Sequence, residues 1–278
     1  MSEDGEQREA LRRKLTVALM GYGGIARYVA NALHDDPAIT VRQVLCKPGR
    51  IDDARRQLGS ALDYIDAVGD LAADIDIVVE CAGQAALTER GPAILERGIN
   101  LMAVSTGALA DAAFQDRLVA VAERTGTEIM IASGAIGALD AIGAASAGTV
   151  HEVRYIGRKP PAGWRGSAAE DVVDLDALTA PAEHFSGSAR EAARRYPKNA
   201  NVAASIALAG LGFDATQVTL IADPGCQTNC HIVEVRGDFG SFSFEVSGVA
   251  LPDNPRSSAL TAMSVLSHLR RMTSPLKF

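Results

Sequence analysis

The feature that most restricts this chain is the stretch Lys14–Asp36, KLTVALMGYGGIARYVANALHDD. A short apolar run, Leu15–Met20, meets Gly21-Tyr22-Gly23-Gly24-Ile25-Ala26, after which Ile25, Val29 and Leu33 recur at i, i+4 and i+8. That succession predicts strand, glycine turn and helix, the opening of a dinucleotide-binding βαβ unit in its G-x-G-x-x-A form. Gly21 allows a tight exit from the strand, Gly23 lets the backbone approach a pyrophosphate, and Ala26 lets the helix lie close on the strand. The phosphates would sit at Gly24, Ile25 and Ala26, where N–H groups and the helix dipole favour an anion. A plain tight βα turn uses the same residues, so the flanking strand and helix carry the reading.

Alternation of β and α signals continues from residue 15 to 132, as in a doubly wound Rossmann domain. Two more turns of small residues follow expected strands: Cys81-Ala82-Gly83-Gln84 after Asp76–Glu80, and Ser105-Thr106-Gly107 after Asn100–Val104. Ligands of open parallel sheets bind outside such strand ends, which puts Cys81, Ala82 and Gly83 on the cofactor. Cys81 reads as a small wall residue rather than a nucleophile. The second strand, Ile39–Leu45, ends in Cys46-Lys47-Pro48-Gly49-Arg50, without the carboxylate that would bind a ribose 2′-hydroxyl. Lys47 and Arg50 suit a 2′-phosphate or a solvated basic turn, so either NAD or NADP is expected.

Past Ser133-Gly134-Ala135-Ile136-Gly137 the strands lengthen and alternate, over 151–158, 216–222, 229–236 and 241–249, with helices near 188–196 and 200–210. The fold class is therefore α/β: a Rossmann dinucleotide-binding domain, 14–135, plus a smaller α+β domain, 136–253, with a mainly antiparallel sheet. The last stretch, 254–278, reads as a helix returning to the first domain, with Pro255–Arg271 amphipathic. A cleft between the domains is the expected substrate site. Residues 159–187, with KPPAGWRG and a run of acids, read as a flexible loop, and residues 1–13 as a frayed leader.

The composition removes several classes. A net charge of −7 over 278 residues argues against nucleic acid or an anionic membrane as partner. No apolar run has membrane-spanning length and no secretory signal opens the chain, so a reducing cytoplasm is expected. The four cysteines are too scattered for a disulfide framework. Cys226-x₃-Cys230-His231 has no second ligand pair, and neighbouring strand residues point to opposite faces, so no metal is expected.

His231, at the start of an expected strand, is the best acid–base candidate of five histidines, although its position also suits a structural histidine. Lys198, Asn199 and Asn201 gather cationic and amide donors at a helix start, the needs of an anionic substrate; a simple N-cap with a solvated lysine reads equally well. Arg165 and Arg256 are weaker candidates.

Four motifs, in order, resemble the L-aspartate dehydrogenase family: Ser133–Gly137, Tyr196–Ala204 (YPKNANVAA), Ala222–Gly240 with Asn229-Cys230-His231, and Asn254–Leu260 (NPRSSAL). The resemblance covers roughly residues 14 to 275. It implies a homodimeric, NAD(P)-dependent enzyme that deaminates L-aspartate to iminosuccinate, which gives oxaloacetate and ammonia or feeds NAD biosynthesis. On that resemblance Ala135 and Asn201 contact the nicotinamide and His231 is catalytic. A dihydrodipicolinate reductase-like enzyme and a non-catalytic NAD(P)-binding sensor share the same two-domain outline.

Overall fold

Strands buried on both faces must be apolar nearly throughout, and the first strand of this protein, β1 (Leu15–Met20), has five of its six residues buried. The computed structural model describes residues 14–252 and 254–277; the leader at 1–13 lies outside them, as do the side chains of Pro255 and Arg256. The chain forms two compact units.

The first comprises, of the described residues, 14–104, Arg117–Ala132 and 262–277. It builds on β1, α1 (Gly24–Ala32), β2 (Ile39–Leu45), α2 (Ile51–Leu58), β3 (Asp63–Ile65), β4 (Ile77–Glu80), α3 (Gln84–Glu96), β5 (Asn100–Ala103), α4 (Ala112–Thr125) from Arg117 onward, and β6 (Ile129–Ile131). The six strands are all parallel in the order β3-β2-β1-β4-β5-β6, so the strand order reverses between β1 and β4. Chain connections diverge at that point and leave a crevice at the strand C-termini, where doubly wound sheets take their ligands.

The second unit comprises Ser105–Asp116 and Ser133–Thr261. Residues 105–116 and 254–261, which the sequence reading groups with the dinucleotide domain, belong to it. Its elements are α5 (Leu139–Ser146), β7 (Val150–Lys159), β8 (Ala182–Ser188), α6 (Ala189–Arg195), α7 (Asn201–Ala209), β9 (Gln217–Ala222), β10 (Asn229–Gly237), β11 (Gly240–Gly248), β12 (Ala250–Leu251) and β13 (Asn254–Ser258). The five-stranded sheet runs β11-β10-β7-β9-β8, antiparallel except for the β7–β9 pair. Strict alternation in β7 puts Val153, Tyr155 and Gly157 on the buried face and leaves Arg154 exposed on the other.

Two segments differ from the sequence reading. Within 159–187 the chain forms strand β8, and Trp164 is wholly buried with Nε1–H donating to the Ile221 carbonyl at 3.0 Å. A buried indole is a large apolar anchor, and it ties down a stretch whose polarity alone suggested a loop. At the other end, Asn254–Ser258 pairs with β12 as a strand, and the final helix, α8, spans Ala259–Thr273. Pro255 biases its predecessor toward extended backbone, so helix starts only beyond it. Within the first unit, Val265, Leu266 and Leu269 of α8 join the core formed by Leu15, Val17 and Leu19 of β1.

Candidate active site

The first unit supplies a nucleotide cradle. Gly21 has φ +100° and donates its N–H to the Leu45 carbonyl at 3.0 Å; a Cβ there would come within 3.0 Å of the Ala82 Cβ. The turns after β1 and β4 therefore touch, and only a glycine fits. A Cβ on Gly23 would meet nothing within 4 Å, and no side chain caps the helix Gly24–Ala32 that it precedes. Open space in front of an uncapped helix N-terminus, bordered by Gly24, Ile25 and Ala26, fits the pyrophosphate of NAD or NADP.

The neighbouring turn is clamped from below. Glu80 is wholly buried, and its carboxylate accepts N–H bonds from Ala82 at 2.8 Å, Gly83 at 2.7 Å and Val104 at 3.3 Å. Charge-assisted bonds of this kind are stronger than neutral ones and hold the Cys81–Gly83 backbone in place. Gly83 then opens α3 with φ +102°. Burial, and next the Glu80 carboxylate, push the Cys81 thiol well above its ordinary value, so it stays protonated and lines the turn without nucleophilic character. Of the two basic residues after β2, Arg50 is bonded to Asp53 at 2.8 Å, whereas Lys47 is exposed with no such partner among the described residues.

The second unit supplies a buried polar cluster. His231 pairs directly with Gly157 across β10 and β7, so Tyr155, Gly157 and Lys159 share its face of the sheet. The Tyr155 hydroxyl lies 2.7 Å from His231 Nδ1, and the two rings stack with centroids 6.0 Å apart. That reach passes over Gly157, where a Cβ would come within 2.8 Å of the hydroxyl. The two atoms share one hydrogen bond whose direction follows the tautomer: with the Tyr155 hydroxyl as donor, Nδ1 accepts and the proton of the neutral imidazole sits on Nε2. Nε2 has no partner among the described residues and is not sealed from the surface. Burial, and secondarily Lys159, lower His231 to about 4, so it is neutral at pH 7.

Lys159 Nζ donates to Asn199 Oδ1 at 2.7 Å and lies 4.8 Å from the Trp164 ring centroid. Lys198 is exposed, and no contact brings it to this cluster. Asn199 is therefore joined to a different lysine from the one its sequence neighbourhood suggested. Asn201 Oδ1 accepts the Gly107 N–H at 3.1 Å, and its carbonyl accepts from Thr106 Oγ1 at 2.8 Å, which binds the Ser105–Gly107 turn to α7. Ala135 is buried. Arg165 is ion-paired with Asp176. The Cys226 and Cys230 thiols point to Asp223 and Glu245 respectively.

Sequence reasoning passed over Glu80, Tyr155, Gly157 and Lys159. The signals were present: a carboxylate closing an apolar strand, and the period-two spacing of HEVRYIGRK, which lines up 155, 157 and 159.

Comparison with known proteins agrees with both halves. The family model for the aspartate dehydrogenase C-terminal domain matches residues 140–272, and that for the homoserine dehydrogenase NAD-binding domain matches 21–132. An L-aspartate dehydrogenase of Ruegeria pomeroyi is 50% identical over 95% of this chain and 94% of its own. One from Cupriavidus necator is 46% identical over 92% of this chain and 96% of its own. The crystal structure of aspartate dehydrogenase from Thermotoga maritima superposes with a TM-score of 0.78 at 28% identity, over 96% of this chain and all (100%) of that one. With half its residues shared along nearly the whole length, this chain belongs to the L-aspartate dehydrogenase family.

Proposed function

We propose that the protein catalyses the NAD(P)-linked oxidative deamination of L-aspartate to iminosuccinate, and the reverse reductive amination. The single observation that carries the reading is the buried Tyr155–His231 pair, with His231 Nδ1 occupied and Nε2 left open. Bound NAD(P) supplies the hydride acceptor. The Gly21–Ala26 turn and the helix that follows hold its phosphates, with Cys81, Ala82 and Gly83 alongside and Ala135 and Asn201 toward the nicotinamide. His231 acts as a neutral imidazole. Once the Cα hydride has gone to the bound nicotinamide, Nε2–H donates a hydrogen bond to the imine nitrogen and polarises the C=N bond; water adds to that carbon, its two protons pass to the nitrogen, and C–N cleavage gives oxaloacetate and ammonia. A neutral donor has the advantage that no buried imidazolium must be formed before the substrate arrives.

L-Aspartate with either NAD or NADP should raise the absorbance of reduced nicotinamide, while L-glutamate, L-alanine and L-malate should not. Silence with all four, despite cofactor binding, would favour a dihydrodipicolinate reductase-like enzyme or a sensor. His231→Ala should lower kcat by about 10² or more, the loss expected when a preorganised donor to the reacting group is removed, with cofactor Kd unchanged. We also carry over the homodimer and the cytoplasm from the sequence reading. All four cysteines are free thiols, and no helix of the described residues is long and apolar enough to cross a membrane, both compatible with that compartment.

A further inference from the structure

A lysine taken out of water needs a counter-charge, and Lys159 has none among the described residues. Its ammonium sits at the C-terminal end of β7, half-buried, held by the neutral oxygen of Asn199 and the face of Trp164. Neither partner cancels a charge. The nearest ion pair along the strand, Arg158 with Asp223 at 3.1 Å, stands on the opposite face of the sheet. Lys159 shares its own face with Tyr155 and His231 and is close enough to His231 for its charge to act on that ring. The cost of leaving such a cation uncompensated is large, and a protein keeps one where a ligand brings the opposite charge.

We propose that Lys159 is the cation that receives a substrate carboxylate, with Asn199 orienting the ammonium and Trp164 walling it from water. This rests on the reading of the protein as an aspartate dehydrogenase and gives the dicarboxylate substrate the anchor that Lys198, exposed in solvent, does not provide. It also accounts for the arrangement of the face: the carboxylate at Lys159 places the substrate beside the open Nε2 of His231. Burial lowers Lys159 to about 8, so the empty site holds a cation at neutral pH that is readily lost above it.

Calorimetric titration of succinate, an inert dicarboxylate, into protein saturated with NAD(P)H tests this without turnover. Below the lysine's midpoint of about 8 the ammonium is present and binds; above it the amine does not. Succinate affinity should therefore fall about tenfold between about pH 7 and about pH 9, one factor of ten per unit past the midpoint. The shifted groups around Lys159 move away from that window: His231 on β10 and His184 on β8 are both lowered to about 4, and burial pushes Tyr155 on β7 upward. Lys159→Met should weaken succinate at least about tenfold at pH 7, while Lys159→Arg should bind within a few-fold and lose the pH dependence. Failure of succinate to bind the wild-type protein, a flat pH series, or a Lys159→Met Kd equal to wild type would each overturn the assignment. The wild-type pH series decides alone if a variant does not fold. Because no step consumes aspartate, failure here is distinct from failure of the proposed reaction.

Discussion

Gly157 carries no chemistry, yet the Tyr155–His231 bond passes through the space its missing Cβ leaves. Gly157→Ala would push a methyl to within 2.8 Å of the Tyr155 hydroxyl and force the ring aside. Tyr155→Phe removes the bond without the clash, at about 1 kcal/mol of stability, the net worth of a buried hydrogen bond. Both single variants should lower kcat, and the double variant should lose less than the two losses combined, because the closest clash, with the hydroxyl, is then absent while the contacts with Leu220 Cδ2 at 3.1 Å and the ring Cζ at 3.2 Å remain. Steady-state kinetics on the three proteins check this as a double-mutant cycle, and strictly additive losses would break the argument.

Among the elements, the β1–α1 turn separates two demands that the motif G-x-G-x-x-A merges. Gly21 answers to the fold: its φ is +100° and its neighbour Ala82 is 3.0 Å from an added Cβ. Gly23 answers to the ligand, with ordinary φ of −72° and empty space where a Cβ would go. Gly21→Ala should therefore lower Tm, at a cost of at least about 1–2 kcal/mol for the left-handed backbone alone. Gly23→Ala should leave Tm unchanged within error and weaken cofactor binding. Thermal melts with and without NAD(P)H, paired with cofactor titrations, read both. Equal loss of Tm in the two variants would mean that the second glycine is structural.

For the whole molecule, stability should carry the signature of its two buried histidines. His231 and His184 are each lowered from about 6.5 to about 4, first by burial; Lys159 adds to this at His231, and Arg195 and Lys159 at His184. The unfolded chain binds protons at these sites below about 6.5 while the native protein does not until about 4, so acidification favours unfolding over that interval. Urea midpoints should hold steady near neutrality and fall as pH drops through the window. His231→Gln should flatten part of the fall; an unchanged slope would show that the ring is not buried neutral.

Local physics made the dinucleotide half legible from the chain alone. Apolar runs, glycine turns and helical periods sit next to one another in sequence, and parallel βαβ units follow from them with few alternatives. The position of His231 was legible too, as a strand start after a Pro-Gly turn, though its role came from the family motifs. Long-range pairing decided the rest. Tyr155 stands 76 residues before His231 in sequence and Lys159 stands 40 before Asn199, and they meet only because β7 lies beside β10 and against the start of α7. Lys198, adjacent to Asn199 in sequence, points to solvent instead. Residues 159–187 read as loop because polarity is a local property, whereas the burial of Trp164 depends on β9 being there to accept its N–H. Sequence spacing specifies what each segment prefers; which segments share a sheet face, and therefore which cation and which imidazole form one site, is settled by tertiary pairing.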